Sequence, residues 1–162
     1  MLHLIPAPLH RSALRLAHKL RTRWWRLSGK RLVGVRVIAF DDQGRVLFVR
    51  HSYGSDKWLL PGGGIGRGET PLAAGVRELA EETGCRLDHP REIDCHDEPL
   101  AGTVNRVHLV AGYAVGTIRP DGREIVECRA FGPAALPGDM PGAFAHNLPG
   151  WIIAAEAALP PR

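Results

Sequence analysis

Glu78, Glu81 and Glu82 follow closely on a glycine-rich run, PGGGIGRG over 61–68, in a stretch that reads as a helix. At ~100° per residue their spacing puts all three carboxylates on one helix face. Like charges so placed repel by a few tenths of a kcal/mol per pair, and they need solvent, basic partners or a cation to offset them. A solvated face with Arg77 pairing Glu81 at i,i+4 is the plain alternative. Carboxylates gathered beside a glycine loop also suit one particular chemistry. A diphosphate resists attack by water because its oxygens are negatively charged. A hard divalent cation neutralises that charge and holds the water in line, and Mg2+ binds through carboxylates and substrate phosphates while keeping several waters.

The elements that must position these groups are marked locally. Thr70 suits an N-cap, Pro71 suits the first helical position, and Gly84 suits the left-handed residue that ends a helix. The spacing predicts a helix over 71–83, with Leu72, Val76, Leu79 and Thr83 as its packed stripe and the glutamates on a different face. Ala74 and Gly75, one turn earlier on the acidic side, leave room for a close approach, and the 61–68 loop is the expected neighbour.

The joint pattern is more specific than any of its parts. It runs Gly63, five residues, Glu69, seven residues, Arg77-Glu78-Leu79, one residue, Glu81-Glu82, one residue, Gly84. Eight specified positions, each at a background of roughly one in fifteen, coincide by chance on the order of once in a billion starting points. The pattern resembles the signature of the Nudix hydrolase family, which cleaves nucleoside diphosphates linked to another group. The resemblance implies that Glu81 and Glu82 ligate Mg2+ (or Mn2+), that Glu78 is a further ligand or the base for water, and that a backbone carbonyl of Gly62 or Gly63 completes the set. Glu69 and Arg77 would hold the carboxylates through a salt bridge, or serve the fold alone. The sequence departs from the family pattern at two positions. Gly66 stands where many members carry an acid, which leaves the number of metals open, and Cys85 replaces an aliphatic residue.

Length and charge bound the rest. With 162 residues, 44% hydrophobic, the chain suits one well-cored domain plus an appendage. Eight of the 21 basic residues and none of the 17 acids lie before position 34, so the net charge of +4 resolves into a basic N-terminal segment and a remainder of −4. Residues 1–32 read as a basic amphipathic helix over 9–27 with a linker, and 33–162 as the catalytic domain. The helix stripe of Leu9, Ala13, Leu16, Leu20, Trp24 and Leu27 would cover the domain or a second subunit in a homodimer. Alternatively its arginines and tryptophans would contact RNA or an anionic membrane. Cys85, Cys95 and Cys128 form no CxxC pair and read as free thiols rather than metal ligands; with no apolar run of bilayer length and no signal-peptide core, a cytoplasmic location is expected.

Along the chain, strands are expected over 31–40 and 45–50, joined by the Asp41-Asp42-Gln43-Gly44 turn. A short strand over 58–60 enters the loop, strands follow over 86–95 and 105–116 with a loop at 97–102 between them, a last strand runs over 124–131, and a closing helix over 151–159. Residues 134–150, rich in proline and glycine, read as irregular. Arg50, His51, Tyr53 and Lys57 border the glycine loop as candidates for substrate contact. Glu127 is a candidate for substrate or metal, with pairing to Arg129 or Arg123 as its alternative. Strands, a central helix, more strands and a final helix fit an α/β/α sandwich around a mixed β-sheet, which is also the Nudix fold. Three functions compete: a metal-dependent hydrolase of a nucleoside diphosphate derivative, an RNA 5′-end pyrophosphohydrolase, and a nucleotide-binding module without turnover. The complete set of Glu69, Arg77, Glu78, Glu81 and Glu82 argues against the last.

Overall fold

In a computed structural model, the described residues are 32–52, 56–100, 103–120, 122 and 124–162. The expected N-terminal helix lies outside them, as does Tyr53. Among the described residues, six strands and two helices follow in the order β1 (Leu32–Phe40), β2 (Val46–His51), β3 (Gly62–Gly64), α1 (Pro71–Thr83), β4 (Arg86–Leu100), β5 (Thr103–Val115), β6 (Ile125–Phe131) and α2 (Gly142–Ala158). The sheet runs β4-β5-β1-β2-β6, with β3 paired to β1. Only β1 and β5 are parallel among these pairs, so the sheet is mixed.

Both faces of the sheet are covered, which explains the near-continuous apolar runs of β1 and β2. On one face Val35, Val37, Ala39, Leu47 and Val110 pack with Ala74 and Leu79 of α1. On the other, Ile38, Phe40, Val46, Phe48 and Ala111 pack with Phe144, Leu148, Ile152 and Ala155 of α2. The result is the expected three-layer α/β/α arrangement.

Three elements differ from the sequence reading. The closing helix starts at Gly142 instead of 151 and carries Pro149 inside it. Pro149 and Gly150 read as breakers, yet Phe144, Leu148, Ile152, Ala155 and Leu159 recur at helical spacing and are all buried. That apolar stripe offsets the roughly 3 kcal/mol a mid-helix proline costs. The loop expected at 97–102 is mostly strand. β4 runs to Leu100, its Asp97 pairing Arg106 of β5 at 2.9 Å, and as an edge strand it tolerates Pro99. Finally, the segment 58–60 makes a single bridge, Leu59 to Val49, while the glycines after it form β3 by pairing with Gly34, Val35 and Arg36.

The β1–β2 turn is as expected. Asp41 Oδ1 accepts from the N–H groups of Gln43 and Arg45 at 2.9 and 2.8 Å, and Gly44 takes the left-handed conformation at φ 70°.

Candidate active site

The ends of α1 are set as its sequence dictates. Thr70 Oγ1 accepts from Ala73 N at 3.2 Å, and Gly84, at φ 74°, donates to Ala80 O at 3.0 Å. Its packed face is rotated from the predicted stripe: Ala74, Gly75, Leu79, Glu82 and Thr83 are buried, and Leu72 is exposed. Gly75 is the reason, because a Cβ there would stand 3.2 Å from Val110 Cγ1. The close approach at Ala74 and Gly75 is therefore made by β5, not by the glycine loop.

The loop instead meets the helix one turn later. Gly62 N donates to Glu82 Oε2 at 2.9 Å, and a Cβ on Gly63 would fall 2.5 Å from Glu78 Oε1. Gly62 itself has φ 155°, and a Cβ on it would lie 2.1 Å from the Val35 carbonyl oxygen. The two glycines therefore make separable demands. Gly62→Ala should destabilise the fold by about 1–3 kcal/mol from backbone strain alone, read as a lower melting temperature. Gly63→Ala should leave the fold intact, because the clashing atoms belong to the end of a side chain and not to the backbone. It should displace the Glu78 carboxylate and lower turnover by about 10²-fold, which steady-state kinetics would measure.

Arg77 braces the carboxylates. Its Nε and Nη2 donate to Glu69 Oε1 and Oε2 at 2.9 and 3.0 Å, its Nη1 to Glu78 Oε1 at 2.8 Å and Glu81 Oε2 at 3.2 Å, and Nη2 also to Gly64 O at 3.0 Å. Glu69 Oε2 in turn accepts from Gly66 N at 2.8 Å, and a Cβ at Gly66 would lie 3.1 Å from that oxygen. An acid at position 66 would crowd this clamp. Arg77 and the Gly66 N–H together hold the Glu69 carboxyl down at about 2. Because that value lies below the ordinary 4.5, the stabilisation from the clamp is complete above pH 4.5 and is lost only as pH falls toward 2. Melting temperature followed from pH 6 to pH 2 should accordingly drop less in Glu69→Gln than in wild type.

The three glutamates differ in environment. The side chain of Glu82 is 8% exposed, that of Glu78 13% and that of Glu81 60%. Burial raises the Glu78 carboxyl, outweighing the neighbouring Arg77 cation, which lowers it; the Glu81 and Glu124 charges raise it further. Glu124 thus belongs to the electrostatics of this site, although the sequence reading passed over it for Glu127. It lies just before β6, its carbonyl accepting from Ser52 N at 2.8 Å.

The other candidates separate. Arg50 and His51 are successive residues of β2, so their side chains point to opposite faces of the sheet. His51 Nε2 lies 3.9 Å from Glu82 Oε1, so His51 joins the cluster. Arg50 sits over the Trp58 ring at 5.0 Å on the α2 side, pairing Glu127 at 3.5 Å and Asp139 at 3.2 Å. Glu127 also pairs Arg129 at 2.7 Å. Neither Arg50 nor Glu127 is brought to the carboxylates. A cavity of about 340 Å³ opens beside the loop, lined by Gly34, Arg36, His51, Gly62, Gly63 and Asn105 among others.

Comparison with known proteins bears on this arrangement. The family model described as NUDIX domain matches residues 30–150. An RNA pyrophosphohydrolase of Saccharophagus degradans is 49% identical over 55 residues, 33% of this chain and 32% of that protein. One of Bartonella bacilliformis is 38% identical over 78 residues, 41% of this chain and 46% of that protein. The chain thus matches less than half the length of either relative. Among solved structures, a MutT NUDIX hydrolase from Burkholderia pseudomallei superposes with a TM-score of 0.65 at 23% identity, over 80% of this chain and 99% of that one. The ORF135 protein of E. coli gives 0.64 at 26%, over 83% and 97%.

Proposed function

Because the chain belongs to the Nudix family, we propose that it is a metal-dependent hydrolase cleaving the phosphoanhydride bond of a nucleoside diphosphate linked to another group. The observation that carries this is the set of three carboxylates, Glu78 and Glu81 braced by Arg77 and Glu82 held by the Gly62 N–H, against a loop whose Gly63 lies close to Glu78. Glu81 and Glu82 are the residues that would hold Mg2+ or Mn2+, with Glu78 as a further ligand or as the base for water, and the all-oxygen donor set fits such hard cations. Arg77 engages one oxygen each of Glu78 and Glu81, and Gly62 N–H engages Oε2 of Glu82, so the carboxylates are oriented before any ligand arrives. When bound, the cation neutralises phosphate charge and acidifies water.

The protein's own groups do the rest. Glu78, its carboxyl raised by burial, is a stronger base than an ordinary carboxylate and takes the proton of the attacking water. Arg77 keeps it from rotating away. The cavity beside Gly34 and Asn105 receives the nucleoside end of the substrate, which places the diphosphate over the loop. The Asn105 amide lies about 3.7 Å from the position of a Cβ on Gly34, at the cavity wall. Asn105→Ala should raise KM about two- to tenfold with kcat little changed, the worth of one hydrogen bond made alike in ground and transition states.

A second reading is favoured by the names of the relatives: the substrate is the 5′ end of RNA, with the basic segment 1–32 adding contacts to the strand. Free thiols at Cys85, Cys95 and Cys128 agree with a reducing, cytoplasmic location for either substrate, and no helix among the described residues is long and apolar enough to cross a membrane. The test is a screen of nucleotide sugars, dinucleotides, nucleoside triphosphates and 5′-triphosphorylated RNA with Mg2+ and Mn2+, following phosphate or nucleotide release. Turnover of a nucleoside diphosphate derivative supports the first reading. RNA turnover that weakens steeply with salt, and falls when residues before Gly29 are removed, supports the second. No turnover of any compound would leave nucleotide binding without catalysis, overturning both.

A further inference from the structure

The β4–β5 hairpin carries a second group of metal-ligating side chains, built by strand register rather than by sequence spacing. Glu92 and Cys95 stand three residues apart, which in a regular strand would put them on opposite faces. A register shift between Glu92 and Asp94 inserts the extra residue that brings both to the same face. There they meet His108, the cross-strand partner of Cys95. Ligand atoms of the three residues all lie within 4.8 Å of one another.

The two ring nitrogens of His108 are used differently. Nδ1 is held at 2.6 Å by Glu92 Oε1, which fixes the tautomer and leaves Nε2 as the lone-pair nitrogen. Nε2 faces Cys95 Sγ at 3.8 Å. A tetrahedral Zn2+ with sulfur at about 2.3 Å and nitrogen at about 2.05 Å holds those two atoms about 3.6 Å apart, so the gap fits an ion without strand movement. A carboxylate on the far nitrogen of a ligating histidine is the support such sites ordinarily have. Cys95 and Glu92 are exposed, which gives an ion a path in.

We infer that Cys95 Sγ and His108 Nε2, oriented by Glu92, form a Zn2+ site that clips edge strand β4 to β5, with water completing the coordination. Its sulfur–nitrogen donor set sorts it from the all-oxygen glutamate cluster, which suits hard cations. The register row Gly63, Val35, His108 sets it two strands from the glycine loop, or about 10 Å of backbone.

The test uses the full chain, with Mg2+ in excess to occupy the glutamates, titrated with Zn2+ by calorimetry and with Co2+ by absorption. One Zn2+ per chain should bind and raise the melting temperature, and Co2+ should give a thiolate charge-transfer band that oxygen ligands cannot produce. Cys95→Ser and His108→Gln should each abolish the band and weaken Zn2+ at least tenfold. Glu92→Gln should keep the band and weaken Zn2+ about 10–100-fold. A Co2+ spectrum without a thiolate band, or Zn2+ affinity unchanged in both Cys95→Ser and His108→Gln, would overturn the assignment.

Discussion

Glu82→Gln is expected to reduce hydrolysis roughly 10³-fold or more while the protein stays folded. The carboxylate is buried and its Oε2 accepts from Gly62 N. A glutamine oxygen can still accept that N–H, so the loop keeps its anchor. What disappears is the negative charge, worth several kcal/mol to a bound cation in a site sheltered from water. Glu82→Ala separates the two roles. It removes the acceptor as well, leaving the Gly62 N–H without that bond at a cost of about 1–3 kcal/mol, so its melting temperature should fall where that of Glu82→Gln does not. Kinetics and thermal melts on the pair measure both effects; full turnover by Glu82→Gln at saturating Mg2+ would refute the role given to this side chain.

Glu78→Gln is expected to lower turnover by about two to four orders of magnitude, the usual worth of a positioned base. It carries a second expectation of opposite sign. Burial holds the Glu78 carboxyl above its ordinary value of 4.5, so the fold favours the protonated form. That preference contributes stability below pH 4.5, which is lost as pH rises through the raised value. Glutamine cannot ionise. The metal-free variant should therefore melt higher than wild type at pH 7, and the gap should close as pH falls below 4.5. In the active wild type, turnover should rise with pH as the Glu78 carboxyl ionises. A variant that loses only metal affinity, with an unchanged pH profile of turnover, would make Glu78 a ligand and not the base.

The helix and its glutamates were legible because their determinants are local. Thr70, Pro71 and Gly84 mark the ends of α1, and the helical repeat alone puts Glu78, Glu81 and Glu82 together. What was not legible depends on residues far apart in the chain. Which face of α1 is buried turns on Gly75 meeting Val110 of β5, a contact no local pattern encodes. The glycines of β3 look like pure loop until Gly34, Val35 and Arg36 pair with them. The first half of α2 is hidden in the sequence because Pro149 and Gly150 are strong local breakers, and only the buried stripe from Phe144 to Leu159 overrides them. In the sequence Glu127, which alternates neatly along β6, stands out more than Glu124. The difference is visible only in the fold, where the Glu124 charge acts on the Glu78 carboxyl and the Glu124 carbonyl accepts from Ser52 N. The Cys95, His108 and Glu92 group was hidden for a similar reason, since a bulge assembled it.

That Glu78, Glu81 and Glu82 on one helix face form the divalent-cation centre can be tested without a substrate. Mn2+ binding, followed by electron paramagnetic resonance, should be compared between the wild type and a variant with all three glutamates replaced by glutamine. Wild type should bind Mn2+ in competition with Mg2+, and the triple variant should lose that binding while retaining a cooperative thermal melt. Undiminished Mn2+ affinity in a folded triple variant would contradict the account, because the cation would then be held elsewhere.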